Sequence, residues 1–140
     1  MIQRIQTLYI FIVIVLQSIL LSTNIAKCVD LSSGNEIIYK TMDNFLIAAL
    51  TSLTALIPAI SMFLYKKRIL QMRFNIFNSI LLVALQGFIV YYIVSYINSE
   101  TSSVFMIQSL FPVISLILSI LAIRNILKDE LLIRSLHRLR

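Results

Sequence analysis

The side chains that could do chemistry in this chain are few and scattered. The sole histidine, His137, stands in a basic C-terminal segment with no nucleophile or metal-ligand partner at a useful spacing, and is expected on the surface. Cys28 is the sole cysteine, so neither an intramolecular disulfide nor a thiolate metal site can be built around it. Glu130 precedes Arg134 by four residues, the spacing of a helix-stabilising ion pair, so a structural role is expected for it. An active site would have to gather Arg73, Asp129, Glu130 and His137 in one cleft. No other constellation points to catalysis, and the expectation is a protein that is not an enzyme and carries no cofactor and no metal.

The elements that position these residues follow from where charge is missing. Hydrophobic residues make up 59% of the chain and charged ones 13%, about half the charged share of an ordinary soluble domain. No charged residue falls in 5–26, 44–65, 74–99 or 101–123. Each run exceeds the roughly 20 residues a helix needs to cross a hydrocarbon core about 30 Å thick. The fold class expected is all-α: one integral membrane domain over 1–140, a four-transmembrane-helix bundle with spans near 5–26, 45–65, 76–97 and 104–123 and a basic amphipathic tail over 124–140. Continuous apolar stretches such as Ile10 to Leu16 and Ile80 to Leu85 exclude the alternating pattern of a membrane β-barrel. The first run is too long for the apolar region of a cleaved signal, and Lys27 stands before Cys28 where lipoprotein cleavage requires a small residue, so the first span is expected to be retained. Of the connections, 36–43 is expected to extend the second helix outward past the turn-rich Ser32 to Asn35. The stretch 98–103 is expected to be a short polar turn.

The net charge of +6 is distributed by side. The start, the second loop and the tail carry ten basic residues and two acids, a net +8, whereas the first and third loops carry two basic residues and four acids, a net −2. Basic residues concentrate on the cytoplasmic side of membrane proteins, so both termini are expected in the cytoplasm and the chain in the bacterial inner membrane. Lys66, Lys67, Arg68, Arg73, Arg124, Lys128, Arg134 and Arg138 then face anionic lipid headgroups or a partner protein, and nucleic acid is not expected. A membrane-protein partner or a homo-oligomer remains open.

At 100° per residue, the rare polar and small residues of each run fall on one stripe. In the first helix Gln6, Gln17 and Asn24 align. In the second, Ala48, Ser52, Ala55 and Ala59 lie within about 60°, a face that lets helices approach closely. In the third Asn75, Ser79 and Gln86 align, and in the fourth Gln108, Pro112, Ser115, Ser119 and Ala122 share an arc of about 80°. These stripes are expected to face the bundle interior. Gln17 and Gln86, near the middles of their runs, need interhelical hydrogen-bond partners, since an unpaired amide in hydrocarbon costs several kcal/mol. Pro58 and Pro112 each remove a helix hydrogen bond and can kink a span, but neither is flanked by Gly or an ionisable residue that would mark a substrate site. No ionisable residue lies inside a span, which argues against coupled transport. The role expected is a structural or accessory bundle. The alternative is a small transporter, channel or lipid-handling protein that uses the polar stripes as a path.

The tail, drawn as a helix, places Arg124, Lys128, Arg134 and Arg138 on one side and Ile126, Leu132, Ile133, Leu136 and Leu139 on the other, with Asp129 interrupting the apolar side. It can continue the fourth helix, lie on the membrane or dock on a partner. The opening Met1 to Tyr9, the segment Phe63-Leu64-Tyr65-Lys66-Lys67-Arg68-Ile69-Leu70-Gln71-Met72-Arg73 and the ending Leu121 to Arg140 together resemble an uncharacterised family, the small four-helix membrane proteins of Bacteroidetes-type bacteria with a domain of unknown function. That resemblance implies a four-helix inner-membrane form and brings no activity, cofactor or catalytic residue. His137 departs from the family pattern, which leads to an acid at that place.

Overall fold

A computed structural model describes residues 2–30, 36–64, 67–95 and 101–138. At 2–4, 28–30, 36–37, 101–105 and 133–138 the description covers the backbone alone. Four helices carry the chain: α1 Ile2–Ser22, α2 Phe45–Phe63, α3 Arg68–Ser95 and α4 Phe111–Arg138. The segments Ile5–Ser22, Phe45–Phe63, Arg68–Ser95 and Ile107–Leu132 are each long and apolar enough to cross a membrane. The helices form a ring in which α1 and α3 each pack on α2 and α4. Between 28% and 33% of each span is buried inside the protein, and the outward face carries Phe11, Leu53, Leu56, Phe77, Ile80, Val83 and Ile117. An apolar exterior around a partly polar interior is the inverse of a soluble bundle and suits lipid as the surrounding solvent.

The loops at one end of the ring hold structure that the sequence reading did not anticipate. Strands β1 Asn24–Asp30, β2 Glu36–Lys40 and β3 Thr101–Phe105 form an antiparallel sheet in the order β2-β1-β3. Ala26 pairs with Tyr39 on one side and Phe105 on the other. Helix α1 therefore stops at Ser22, and 24–26 belongs to the sheet rather than to the first span. Segment 36–40 is a strand, not an outward extension of the second helix, and the stretch expected as a plain turn at 98–103 contributes its last residues to β3. The β-branched Ile37, Ile38 and Val104 and the aromatic Tyr39 and Phe105 favour extended backbone once a partner strand is present. The turn residues Ser32 to Asn35 lie outside the described residues.

Local hydrogen bonds fix the junctions. The Thr41 hydroxyl donates to the Leu20 carbonyl, and the Thr41 amide donates to Thr23 O at 3.3 Å, tying the end of α1 to the 3-10 turn Thr41–Asp43. Asn44 caps α2 by accepting from the Leu46 amide at 3.0 Å, satisfying one of the four donors left free at a helix start. Pro58 lies inside α2 and is buried. Pro112 is the second residue of α4, directly after the 3-10 turn Ile107–Leu110, where a missing amide hydrogen breaks no bond. It starts a helix rather than kinking a span.

The apolar core gathers at the sheet end. Leu20, Ile25, Ala26, Ile47, Leu85, Ile89 and Ile93 form one buried cluster, with Leu50, Tyr92 and Phe111 packed against it. Tyr39 meets Tyr92 edge to face at 5.9 Å between ring centroids, joining β2 to α3. At the other end, α4 continues without interruption through Arg124 and Lys128 to Arg138, so the basic tail is the last part of the fourth helix. At 1.5 Å per residue its 28 residues extend about 42 Å, beyond a hydrocarbon core of about 30 Å.

Candidate functional site

The interior polar groups are the candidate site, and the helices present them on the faces that meet. Helix α4 buries Pro112, Ser115, Ser119, Ala122, Ile126 and Asp129, a single stripe of three- and four-residue steps. Helix α1 buries Gln6, Ile10, Val13, Gln17 and Leu20. Gln17, fully buried, donates from Nε2 to Ser115 Oγ of α4 at 2.9 Å and accepts at Oε1 from Thr54 Oγ1 of α2 at 3.3 Å. One amide thereby links three helices. Nearer the termini, Gln6 Nε2 donates to Asp129 Oδ2 at 2.6 Å, a second bond between α1 and α4, with both side chains buried. Between α2 and α3, Asn75 Nδ2 donates to Ser61 Oγ at 3.2 Å, and the Ser61 hydroxyl lies 3.4 Å from the Gln71 carbonyl.

The residues singled out in the sequence are distributed unevenly over this interior. Gln17 and Ser115 meet each other, and Ser119 and Asn75 are buried. Asn24 is in β1 opposite Lys40, not on a helix. Ser52 donates to the Ala49 carbonyl and Ser79 to the Asn75 carbonyl, each within its own helix. The buried face of α2 is Ile47, Thr51, Thr54, Ile57, Pro58 and Ser61. That face is largely the Ala48, Ser52, Ala55, Ala59 stripe shifted by one residue, a rotation of about 100°. Gln86 is half-buried, and its Oε1 is enclosed without a hydrogen-bond partner, as is Oε1 of Gln108. Asn78 is fully buried, and neither its Nδ2 nor its Oδ1 has a partner. The burial of Thr54, Ser61, Gln71 and Asn78 and the pairing of Gln6 with Asp129 were not foreseen. The signal available for them was the repeat of three- and four-residue steps along each helix rather than the smallness of the residues.

The residues that an active site would have needed differ in their surroundings. Asp129 turns inward to Gln6, Arg73 is exposed, Glu130 is half-buried, and the side chain of His137 lies outside the described residues. Among the described residues, no group of three or more His, Cys, Asp or Glu side chains is placed to hold a metal ion. Lys67, Arg73, Arg124 and Lys128 are exposed and Arg68 is half-buried at the end of the bundle that carries the termini, whereas Lys66 and the side chains of Arg134 and Arg138 lie outside the described residues. Among the described residues, two surface grooves stand out. One, of about 370 Å³, runs over Ala84, Gly87, Phe88 and Tyr91 on the outer face of α3. The other, of about 360 Å³, is lined by Lys128, Leu131 and Leu132.

Four antiparallel apolar helices, cross-linked internally by amides and hydroxyls, make this a multi-pass membrane bundle. The family described as a domain of unknown function, DUF4293, matches residues 2–139, a stretch that takes in all four helices and the sheet. The chain belongs to that family. Comparison with curated proteins and with solved structures finds no match.

Proposed function

We propose that this protein is a non-enzymatic structural or accessory bundle of the bacterial inner membrane, with both termini in the cytoplasm, that engages a larger membrane assembly. The observation that carries the reading is Gln17. It is the polar group best placed to line a path through the middle of the bundle, yet it is fully buried and its two amide atoms are engaged by Ser115 and Thr54. Polar groups spent on each other lock helices together. The orientation rests on the ten basic residues of the start, second loop and tail against two in the other loops. Anionic headgroups are the nearest partner for Lys67, Arg68, Arg73, Arg124 and Lys128. The groove at Lys128, Leu131 and Leu132 sets one cation beside two exposed leucines, a pairing that suits a phospholipid headgroup and the start of its acyl chain.

Native membranes solubilised in mild detergent test the proposal. The protein is expected to elute with a reproducible membrane-protein partner or as a defined homo-oligomer, and liposomes containing it are expected to equilibrate small solutes no faster than empty ones. Saturable solute flux through the liposomes would overturn it. The second reading, a small transporter or channel, is favoured by one specific feature, the enclosed and unpartnered amide atoms of Asn78, Gln86 and Gln108.

A further inference from the structure

The outward apolar strip of α4 does not end where its charges begin. Ile117, Ile120, Leu127 and Leu131 are exposed, and at 100° per residue they share an arc of about 120° with Arg124 and Lys128, which are exposed as well. The two cations stand one turn apart with apolar neighbours on both sides along the helix. Two cross-links fix their depth. Asp129 meets Gln6 and Ser115 meets Gln17, and Arg124 lies about a third of the way from Asp129 to Ser115, which sets it opposite Ile10 of α1. The span of α1 starts at Ile5, and Leu8 and Phe11, next to Ile10, are exposed on its outward side. The backbone of Arg124 therefore lies about 7 Å inside the end of that span.

Neither acid of the four helices stands on the strip. Asp129 is turned inward to Gln6, and Glu130 lies about 120° round the helix from Arg124 and about 160° from Lys128. A cation at the edge of hydrocarbon is costly unless it snorkels to the headgroups or the bilayer thins to meet it. Side-chain bonds tilt towards the N-terminus of their helix, which for α4 is the sheet end, so Arg124 starts out directed away from the nearer headgroups. The counter-charge has to come to it. We propose that α4 holds an anionic phospholipid of the leaflet on the termini side, its phosphate drawn inward onto Arg124 and Lys128 and its acyl chains laid along Ile120 and Ile117. The groove of about 360 Å³ at Lys128, Leu131 and Leu132 opens onto the same strip and leaves room for the lipid. The site rests on the reading of the basic residues as headgroup contacts, and it narrows that reading to one place, where the leaflet is locally thinned.

Native mass spectrometry of the full-length protein, released from detergent micelles, measures its binding of phosphatidylglycerol and of phosphatidylcholine. Arg124→Gln with Lys128→Gln is compared with Lys67→Gln with Arg73→Gln, which removes the same charge from exposed positions elsewhere at that end. The first pair is expected to weaken phosphatidylglycerol binding about tenfold, and the second less than about twofold. Equal losses would overturn the site and leave a diffuse basic belt. No preference for phosphatidylglycerol in the unaltered protein would overturn the headgroup reading as well. Should the first pair of substitutions prevent folding, a phosphatidylglycerol with a photoreactive group near its glycerol decides on the unaltered protein: cross-links concentrated over 117–128 are expected, and an even spread over the four helices would refute the site. In native membranes, a protein that co-purifies with the unaltered chain and is lost from the Arg124, Lys128 variant while phosphatidylglycerol binding persists would assign the two cations to that protein and overturn the proposal.

Discussion

The bond between Gln17 and Ser115 can be tested by a double-mutant cycle. Gln17→Leu keeps the approximate volume and removes the amide, whereas Ser115→Ala removes the hydroxyl that accepts from it. The Thr54 hydroxyl has one proton to share between Gln17 Oε1 at 3.3 Å and the Thr51 carbonyl at 2.9 Å, so the bond to Ser115 at 2.9 Å is the stronger of the two that Gln17 makes. Interhelical side-chain bonds in membranes average about 0.6 kcal/mol and reach about 1.7 kcal/mol. Both partners here are fully buried, away from competing water, which places the coupling in the upper part of that range. Gln17→Leu alone is expected to cost about 1 kcal/mol. Ser115→Ala, which strands a buried donor, should cost about 1–3 kcal/mol. The double variant should be less destabilised than the two single changes added together, by about 1–1.7 kcal/mol. Reversible unfolding in bicelles, followed by steric trapping or by loss of helicity, supplies the four stabilities. Single effects that add to within about 0.3 kcal/mol would refute the view that this bond joins α1 to α4.

Three further outcomes follow from the same geometry. Asp129→Asn keeps an acceptor for Gln6 and should change stability by less than about 1 kcal/mol. Asp129→Leu strands the Gln6 amide and should cost about 1–3 kcal/mol in the same unfolding assay. Gly87 has nothing within 4 Å of where a Cβ would lie, so Gly87→Ala should raise the melting temperature through a helix-propensity gain of up to about 1 kcal/mol; a lowered one would mean that the groove is filled tightly in the membrane. Truncation after Asn125 removes buried Ile126 and Asp129 together with Lys128, and should both loosen the bundle and weaken binding to anionic vesicles. Unchanged melting and vesicle binding would show that the last turns of α4 neither pack nor anchor.

The four spans were legible because charge is excluded from hydrocarbon so strictly that its gaps mark the helices. The buried face of α4 was legible for a related reason, since Pro112, Ser115, Ser119 and Ala122 leave no doubt about the stripe. On α2 the same reasoning chose the wrong side. Small residues were taken to be the contact, but Thr51 and Thr54 donate to the Ile47 and Thr51 carbonyls of their own helix and can be buried at low cost, so α2 turns the threonines inward. The sheet was hidden because its strands are short and its pairing is remote: β1 and β3 lie more than 70 positions apart in the chain. In the sequence Asp129 stood out only as an interruption of the apolar side of the tail. Its partner Gln6 is 123 positions away, and only the antiparallel docking of α4 on α1 brings them together.

Paired topology reporters test the proposed orientation, in which the four-span bundle has both termini in the cytoplasm. Fusions after Asn35, in the first loop, and after Gln71, near the start of α3, would be made to an enzyme active only outside the cytoplasm and to a fluorescent protein that matures only inside. Enzyme activity without fluorescence is expected at Asn35, and fluorescence without enzyme activity at Gln71. The opposite pattern would reverse the orientation, and the same signal at both sites would contradict the four-span arrangement itself.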